Sequence, residues 1–270
     1  MRIATWNVNS LKARMGKVEE WLEIAQPDVL CMQETKLADG AFPAMAFSAL
    51  GYEACYHGNG RWNGVAILSK VGIEDAKPGF VGEELAGIEE CRLLTASCGG
   101  VRVASVYVPN GRSVGSEHYE AKLEWLGHLA GDLEEHVDPS EPLAICGDFN
   151  VAPADIDVWD VGSFVGATHV SEAERDAYRA LIDWGLSDAF RLVYPDVDGV
   201  FSWWDYRAGD FHKRRGMRID LLLMTTPLAA KVTYALVDRE ARKGMGGERP
   251  PSDHAPVFVD VDWEQPTSPS

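Results

Sequence analysis

The chain has 270 residues, 46% of them hydrophobic and 25% charged, with 25 Lys and Arg against 42 Asp and Glu and a formal net charge of −17 at pH 7. This is the composition of a globular protein large enough to bury a core without disulfide or metal staples. No apolar run approaches the roughly 20 residues that span a bilayer, and so acidic a chain argues against one that coats nucleic acid non-specifically.

The opening residues Met1 to Trp6 enter strand-like alternation at once, with no basic or apolar leader region. Further strand-like runs fall at 28–33, 52–57, 64–69, 91–98, 101–108, 142–147, 218–225, 231–238 and 256–262, the first one covering 2–8, each bounded by turn-forming residues. Apolar residues three or four apart predict helices over 10–26, 117–137 and 171–185, and Ser171-x-x-Glu174 has the form of a capping box that opens the third. The pair 91–98 and 101–108, joined by Gly99-Gly100, predicts a hairpin. About ten strands with so few helices do not fit a strict βαβ repeat, so the expected fold is α/β (α+β): two mixed sheets face to face with helices outside. With no linker composition, one domain over 1–263 and a disordered tail over 264–270 are expected. Five cysteines, mostly inside apolar runs and without Cys-x-x-Cys spacing, are expected to be free thiols in a reducing compartment, the cytoplasm.

Charge is unevenly spread. Residues 207–218 hold Arg207, Lys213, Arg214, Arg215 and Arg218, and residues 239–249 hold Arg239, Arg242, Lys243 and Arg249, so two short stretches carry nine of the 25 basic residues. They read either as solvated loops or as local contacts to a phosphate backbone.

Polar residues gather where apolar runs end: Asn7 and Asn9 after the first, Glu34 after the second, and Asp148 with Asn150 after Leu143-Ala-Ile-Cys-Gly. Asp220 lies within Ile219-Asp-Leu-Leu-Leu, and Asp253-His254 precedes the last run. Singly, most are ordinary turn residues, although Asp220 among apolar neighbours requires a partner. Together, carboxylates and amides with one histidine suit a hard, oxygen-liking ion such as Mg²⁺ or Mn²⁺, and no zinc spacing is present. A phosphodiester needs a metal to neutralise charge, a base to activate water and donors to the phosphoryl oxygens, and this set supplies all three.

With those residues assembled, the sequence resembles exonuclease III and the abasic endonucleases of the DNase I-like phosphoesterase superfamily. The resemblance rests on Trp6-Asn-Val-Asn-Ser-Leu11, Gln33-Glu-Thr-Lys36, Asn63-Gly-Val-Ala66, Tyr107-Val-Pro-Asn110, Gly147-Asp-Phe-Asn-Val-Ala-Pro153, Phe201-Ser-Trp-Trp-Asp-Tyr206, Arg218-Ile-Asp220 and Ser252-Asp-His-Ala-Pro256, which span nearly the whole chain in the family's order. It implies a four-layer α/β sandwich. Glu34 would bind the metal with Asn7 beside it and Asp253 near the metal or a second position. Asp148 would position or deprotonate the water, Asn150 would hold the phosphate or that water, and His254, oriented by Asp220, would bond a phosphate oxygen. Tyr107 would contact the scissile phosphate; its place favours the DNA-repair branch, because members acting on generic duplex or phospholipid typically offer histidine there. Trp62, Asn110, Trp203, Arg207, Arg214, Arg215 and Met217 would face DNA, with Trp203 and Met217 as apolar walls around an extruded abasic sugar. The role of Asn9 stays open, since some relatives carry Asp there, and Arg112 carries over only weakly. The implied activity is Mg²⁺- or Mn²⁺-dependent cleavage of double-stranded DNA 5′ to abasic sites and from 3′ ends, by a monomer without membrane association. Two rivals are a same-fold phosphodiesterase acting on lipid or nucleotide, and an inactive nucleic-acid-binding regulator.

Overall fold

The computed structural model describes residues 1–81, 90–243 and 250–264. In chain order the elements are β1 (Arg2–Asn7), α1 (Leu11–Ala25), β2 (Val29–Gln33), α2 (Ala44–Ala49), β3 (Glu53–His57), β4 (Val65–Ser69), β5 (Glu74–Pro78), β6 (Leu93–Cys98), β7 (Val101–Tyr107), α3 (Glu117–His136), β8 (Leu143–Asp148), α4 (Glu172–Trp184), β9 (Leu186–Asp188), α5 (Ala189–Val193), α6 (Asp210–Lys213), β10 (Asp220–Thr225), α7 (Thr226–Ala229), β11 (Val232–Val237) and β12 (Val257–Val261). They form two six-stranded sheets, ordered β11-β12-β1-β2-β4-β3 and β5-β6-β7-β8-β10-β9. Each sheet has one central parallel pair, β1 with β2 and β7 with β8, and antiparallel neighbours. A helical crossover joins each parallel pair, as parallel neighbours require.

Alternation assigns the layers. Ile3, Cys31 and Ile67 from one sheet meet Val103, Cys146 and Leu222 from the other in a core between the sheets. Trp6, Leu30 and Leu68, on the opposite face, pack under Val18, Trp21 and Leu22 of α1. Ile145, Leu221 and Leu223 likewise pack under Leu129 and Leu133 of α3 and Leu181 of α4. The period-two pattern thus feeds two faces at once, which makes β2, β4, β8 and β10 buried along their whole length. The four-layer architecture expected from the sequence is present.

The Gly99-Gly100 hairpin turn forms with both residues at positive φ, and the Ser171–Glu174 capping box forms at the start of α4. Two strands escape the hydrophobic pattern: β5, an edge strand exposed at every position, and the three-residue β9. Strand β10 begins at Asp220, so that aspartate stands at the strand's end and not within it. Of the expected disordered tail, 265–270 lies outside the described residues, as does 244–249, which includes Arg249. The described cysteines are all free; four are buried and Cys55 is half-buried.

Candidate active site

Strand register brings the polar strand ends together. Asp148, the last residue of β8, is the register partner of Tyr107 on β7 and of Asp220 on β10. That approach depends on Gly147, where a Cβ would lie 1.9 Å from the Val106 carbonyl oxygen. In the other sheet, Asn7 pairs with Gln33 at the ends of β1 and β2, which sets Glu34 beside it. The 252–254 turn is tied to β1 from both directions. Ser252 Oγ donates to the Asn7 carbonyl at 2.7 Å, and Trp6 Nε1 donates to the His254 carbonyl at 3.2 Å.

A chain of hydrogen bonds, with one longer charge contact between Asp148 and His254, runs through the cluster. Asn7 Nδ2 donates to Glu34 Oε1 and to Asp148 Oδ2, each at 2.9 Å. Asp148 Oδ1 accepts the Asn150 amide N–H at 2.9 Å, and Asp148 Oδ2 lies 3.8 Å from His254 Nε2. His254 Nδ1 reaches Asp220 Oδ2 at 2.9 Å. Asn7, Asp148, Asn150, Asp220 and His254 are all buried. Burial, together with the charges of Asp220 and Glu34, pushes the Asp148 carboxyl up to about 7, against the opposing pull of His254 and Asn7. Burial would lower His254, but the two carboxylates flanking its ring outweigh it and push the imidazole up to about 10. Burial and the Glu34 and Asp148 charges hold the Tyr107 phenol well above its usual value, so it stays a hydroxyl donor facing Glu34.

Glu34 also pairs with Lys36 Nζ at 2.7 Å, and the same ammonium donates to Asn9 Oδ1 at 2.6 Å. Asn9 Nδ2 passes the connection to Asp253 Oδ1 at 2.9 Å, whose other oxygen accepts Trp203 Nε1 at 3.1 Å. Asn9 is therefore a link between Lys36 and Asp253. Asn110 Nδ2 donates to Asn150 Oδ1 at 3.0 Å. A cleft of about 570 Å³ opens beside Glu34 and Tyr107, lined also by Lys36, Asn110, Arg112 and Trp62. The Trp62 side chain is 79% exposed there.

The outer residues divide. Arg207 is exposed and paired with Asp205, Arg215 lies over the Trp159 ring at 5.0 Å, and Arg214 borders a separate cavity beside Phe190, Trp204 and Arg239. Among the described residues none of the three contacts the hydrogen-bonded chain. Met217 requires a correction. It is 0% exposed and packs with Ala152, Val158 and Ile219, so it is a core residue and not an open wall for a sugar. Arg218, from the same basic stretch, is fully buried and paired with Asp157 and Asp188, each at 2.7 Å, which removes it from any phosphate surface.

Four contributors escaped the sequence reading as site residues: Lys36, Arg92, Lys122 and Glu174. Arg92 lies over the Tyr107 ring at 4.5 Å and donates to its carbonyl at 3.2 Å. Lys122 shares the buried stripe of α3 with Tyr119, Leu126 and Leu129, and a cation on an apolar stripe was the available signal.

Carboxylate and amide oxygens are the hard donors that a divalent ion of the Mg²⁺ class requires, and Asp148, Asp220 and His254 bring ligand atoms within 4.8 Å of one another. With the imidazole held protonated, only the oxygens of that group and of neighbouring Glu34 and Asn7 are suited to an ion. Two stacked mixed sheets with such a site at one end define a metal-dependent phosphoesterase of the DNase I-like fold. Residues 4–254 match the Endonuclease/Exonuclease/phosphatase family. Exodeoxyribonuclease III of Haemophilus influenzae is 34% identical over 96% of this chain and 99% of its own length. An AP endonuclease from Archaeoglobus fulgidus superposes with a TM-score of 0.92 at 36% identity, covering 97% of this chain and 100% of its own. The 3′ phosphatase NExo from Neisseria, solved with a product DNA hairpin, superposes with a TM-score of 0.91 at 37% identity over the same shares. The chain belongs to the Endonuclease/Exonuclease/phosphatase family, in the branch of the exodeoxyribonuclease III and AP endonuclease enzymes. Among the described residues no helix is long and apolar enough to cross a membrane.

Proposed function

We propose that this chain hydrolyses DNA phosphodiesters with Mg²⁺ or Mn²⁺, trimming or unblocking 3′ ends and cutting 5′ to abasic sites in duplex DNA. It would act as a monomeric single domain over residues 1–263 in the cytoplasm. The observation that carries the reading is the cluster Glu34–Asn7–Asp148–His254–Asp220, hydrogen-bonded except for the 3.8 Å contact between Asp148 and His254, which supports a metal-binding carboxylate, a base and a protonated histidine as neighbours. Glu34 and Asn7, with Asp253 nearby through Asn9, would hold the ion, whose charge would neutralise the phosphate. Asp148 in its ionised form takes a proton from the attacking water; as the new P–O bond forms, the bond from phosphorus to the leaving sugar oxygen breaks, and that oxygen departs as a hydroxyl after taking a proton from solvent. The His254 imidazolium, the Tyr107 hydroxyl and an Asn150 amide hydrogen donate to phosphoryl oxygens, where charge grows in the transition state.

Between the two substrates, 3′ ends are favoured. The pocket expected to test an abasic sugar has lost one wall, since Met217 is closed into the core, and the other wall, Trp203, has the His169 ring 6.5 Å away. One duplex carrying a single abasic site and a recessed 3′ end, incubated with and without chelator, tests the whole reading. Metal-dependent loss of 3′ nucleotides outpacing abasic cleavage is the expected result. No cleavage of either kind with metal present overturns it.

A further inference from the structure

Beneath Asn150 lies a second set of charges that takes no part in the chain of Asp148 and His254. Lys122 of α3 and Glu174 of α4 are paired with both side chains 0% exposed. Removing two ions from water is costly, and a buried pair is weak evidence of a stabilising role. What this pair touches is the backbone of the site. Lys122 Nζ donates to the Asn150 carbonyl at 2.6 Å. Glu174 Oε1 accepts the His169 amide N–H at 2.9 Å and the Thr168 hydroxyl at 2.6 Å. The Thr168 hydroxyl also lies 3.2 Å from the Asn110 carbonyl, and His169 Nδ1 lies 2.5 Å from the Asn150 carbonyl. Burial and the Lys122 charge lower His169 to about 4, so its ring is neutral near pH 7 and its Nδ1–H is the donor. The Asn150 carbonyl thus has both lone pairs occupied.

The side chain of Asn150 explains why that matters. Its Oδ1 accepts from Asn110, and Nδ2 donates one hydrogen to the Val108 carbonyl at 2.9 Å. A primary amide has two N–H donors, so one remains for phosphate or water. Asn150 also sits in the left-handed region at φ 51, a conformation its surroundings must enforce. The direction of the remaining N–H therefore depends on the peptide that Lys122 and His169 hold.

We propose that the buried Lys122–Glu174 pair is a positioning device for Asn150, setting the rate of the chemical step without touching DNA. The inference rests on the functional reading above, in which Asn150 faces the reacting phosphate or water. Misplacement of a reacting group by about 1 Å can cost roughly 100-fold in rate.

The test replaces both charges by neutral groups of similar size, Lys122→Met with Glu174→Gln, and uses Thr168→Val as a milder variant that removes only the hydroxyl link. The expected result is a fall in kcat of about 10- to 100-fold with KM for DNA within about threefold. On an Asn150→Ala background the same substitutions should add less than about a threefold loss, because the pair acts through Asn150. Full multiplication of the two losses, or kcat unchanged in a folded variant, overturns the proposal. Where the charge-neutral pair does not fold, Thr168→Val decides by the same criterion, with a smaller loss that vanishes on the Asn150→Ala background. Wild-type protein inactive on DNA with metal overturns the functional reading instead, so the two failures are distinct.

Discussion

Asp220 holds His254 by Nδ1 with both carboxylate oxygens, at 2.9 and 3.1 Å, and both residues are buried. The contact leaves Nε2 facing Asp148 at 3.8 Å, so the imidazole is flanked by a carboxylate at each nitrogen. Burial lowers its proton affinity, the two negative charges raise it further, and the balance lies at about 10. The protonated, donating form therefore persists through neutral pH and is lost only as pH rises through that value. Removing the Asp220 charge, in Asp220→Asn, should return His254 toward the ordinary histidine value of about 6.5. The alkaline limb of the pH–rate profile should then move to lower pH by more than one unit. An alkaline limb that stays in place would show that His254 is not the proton carrier. The double variant with His254→Asn should lose less than the product of the single losses.

The acid limb belongs to Asp148. Its carboxyl is pushed up to about 7, by burial first and then by neighbouring negative charge. The base form is the ionised one, so activity should rise as pH increases through that region and fall below it. Asp148→Asn is nearly isosteric and should cost about 10²–10⁴ in turnover while DNA affinity survives. A variant retaining more than about a tenth of wild-type turnover would remove Asp148 from the role of base.

Glu34 contributes one carboxylate, already bonded to Asn7 and paired with Lys36. In Glu34→Gln the anion is lost and the Lys36 ammonium is left beside the site. The Mg²⁺ concentration for half-maximal activity should rise sharply, and calorimetric Mg²⁺ binding without DNA should weaken in parallel. An unchanged Mg²⁺ dependence would place the ion elsewhere.

The basic stretch should separate into two kinds of arginine. Arg214 and Arg215 are exposed. If both meet phosphates, replacing them with Ala should flatten the slope of log affinity against log salt by about 1.8. Arg218 is fully buried between Asp157 and Asp188. Arg218→Met should leave that slope unchanged and instead destabilise the fold by about 3–5 kcal/mol, read by denaturant titration, because it strands buried carboxylates. Trp203→Ala should also leave the slope alone and change the ratio of abasic to 3′-end cleavage. A salt slope that moves with Arg218 and not with Arg214 and Arg215 would reverse this assignment.

The sequence by itself determined a good deal. Continuous apolar runs such as Leu143 to Gly147 marked strands covered on both faces, and the Ser171–Glu174 spacing marked a helix start, because both signals are local. The motif blocks fixed which carboxylates, amides and histidine would matter. Tertiary structure alone decided how they meet. Register between strands distant in sequence made Asp148 the partner of both Tyr107 and Asp220, and a turn beyond residue 250 supplied His254. It also decided which polar or apolar residues face inward. Met217 and Arg218 stand in a stretch whose basic character suggested a surface, yet both are closed into the core by elements that no local pattern identifies. Lys122 and Glu174 stand 52 residues apart on different helices, and the cation on the apolar stripe of α3 does not by itself name its partner. Whether a charge is solvated, paired or holding another residue's backbone depends on what the fold packs against it, and that is a property of contacts far apart in the chain.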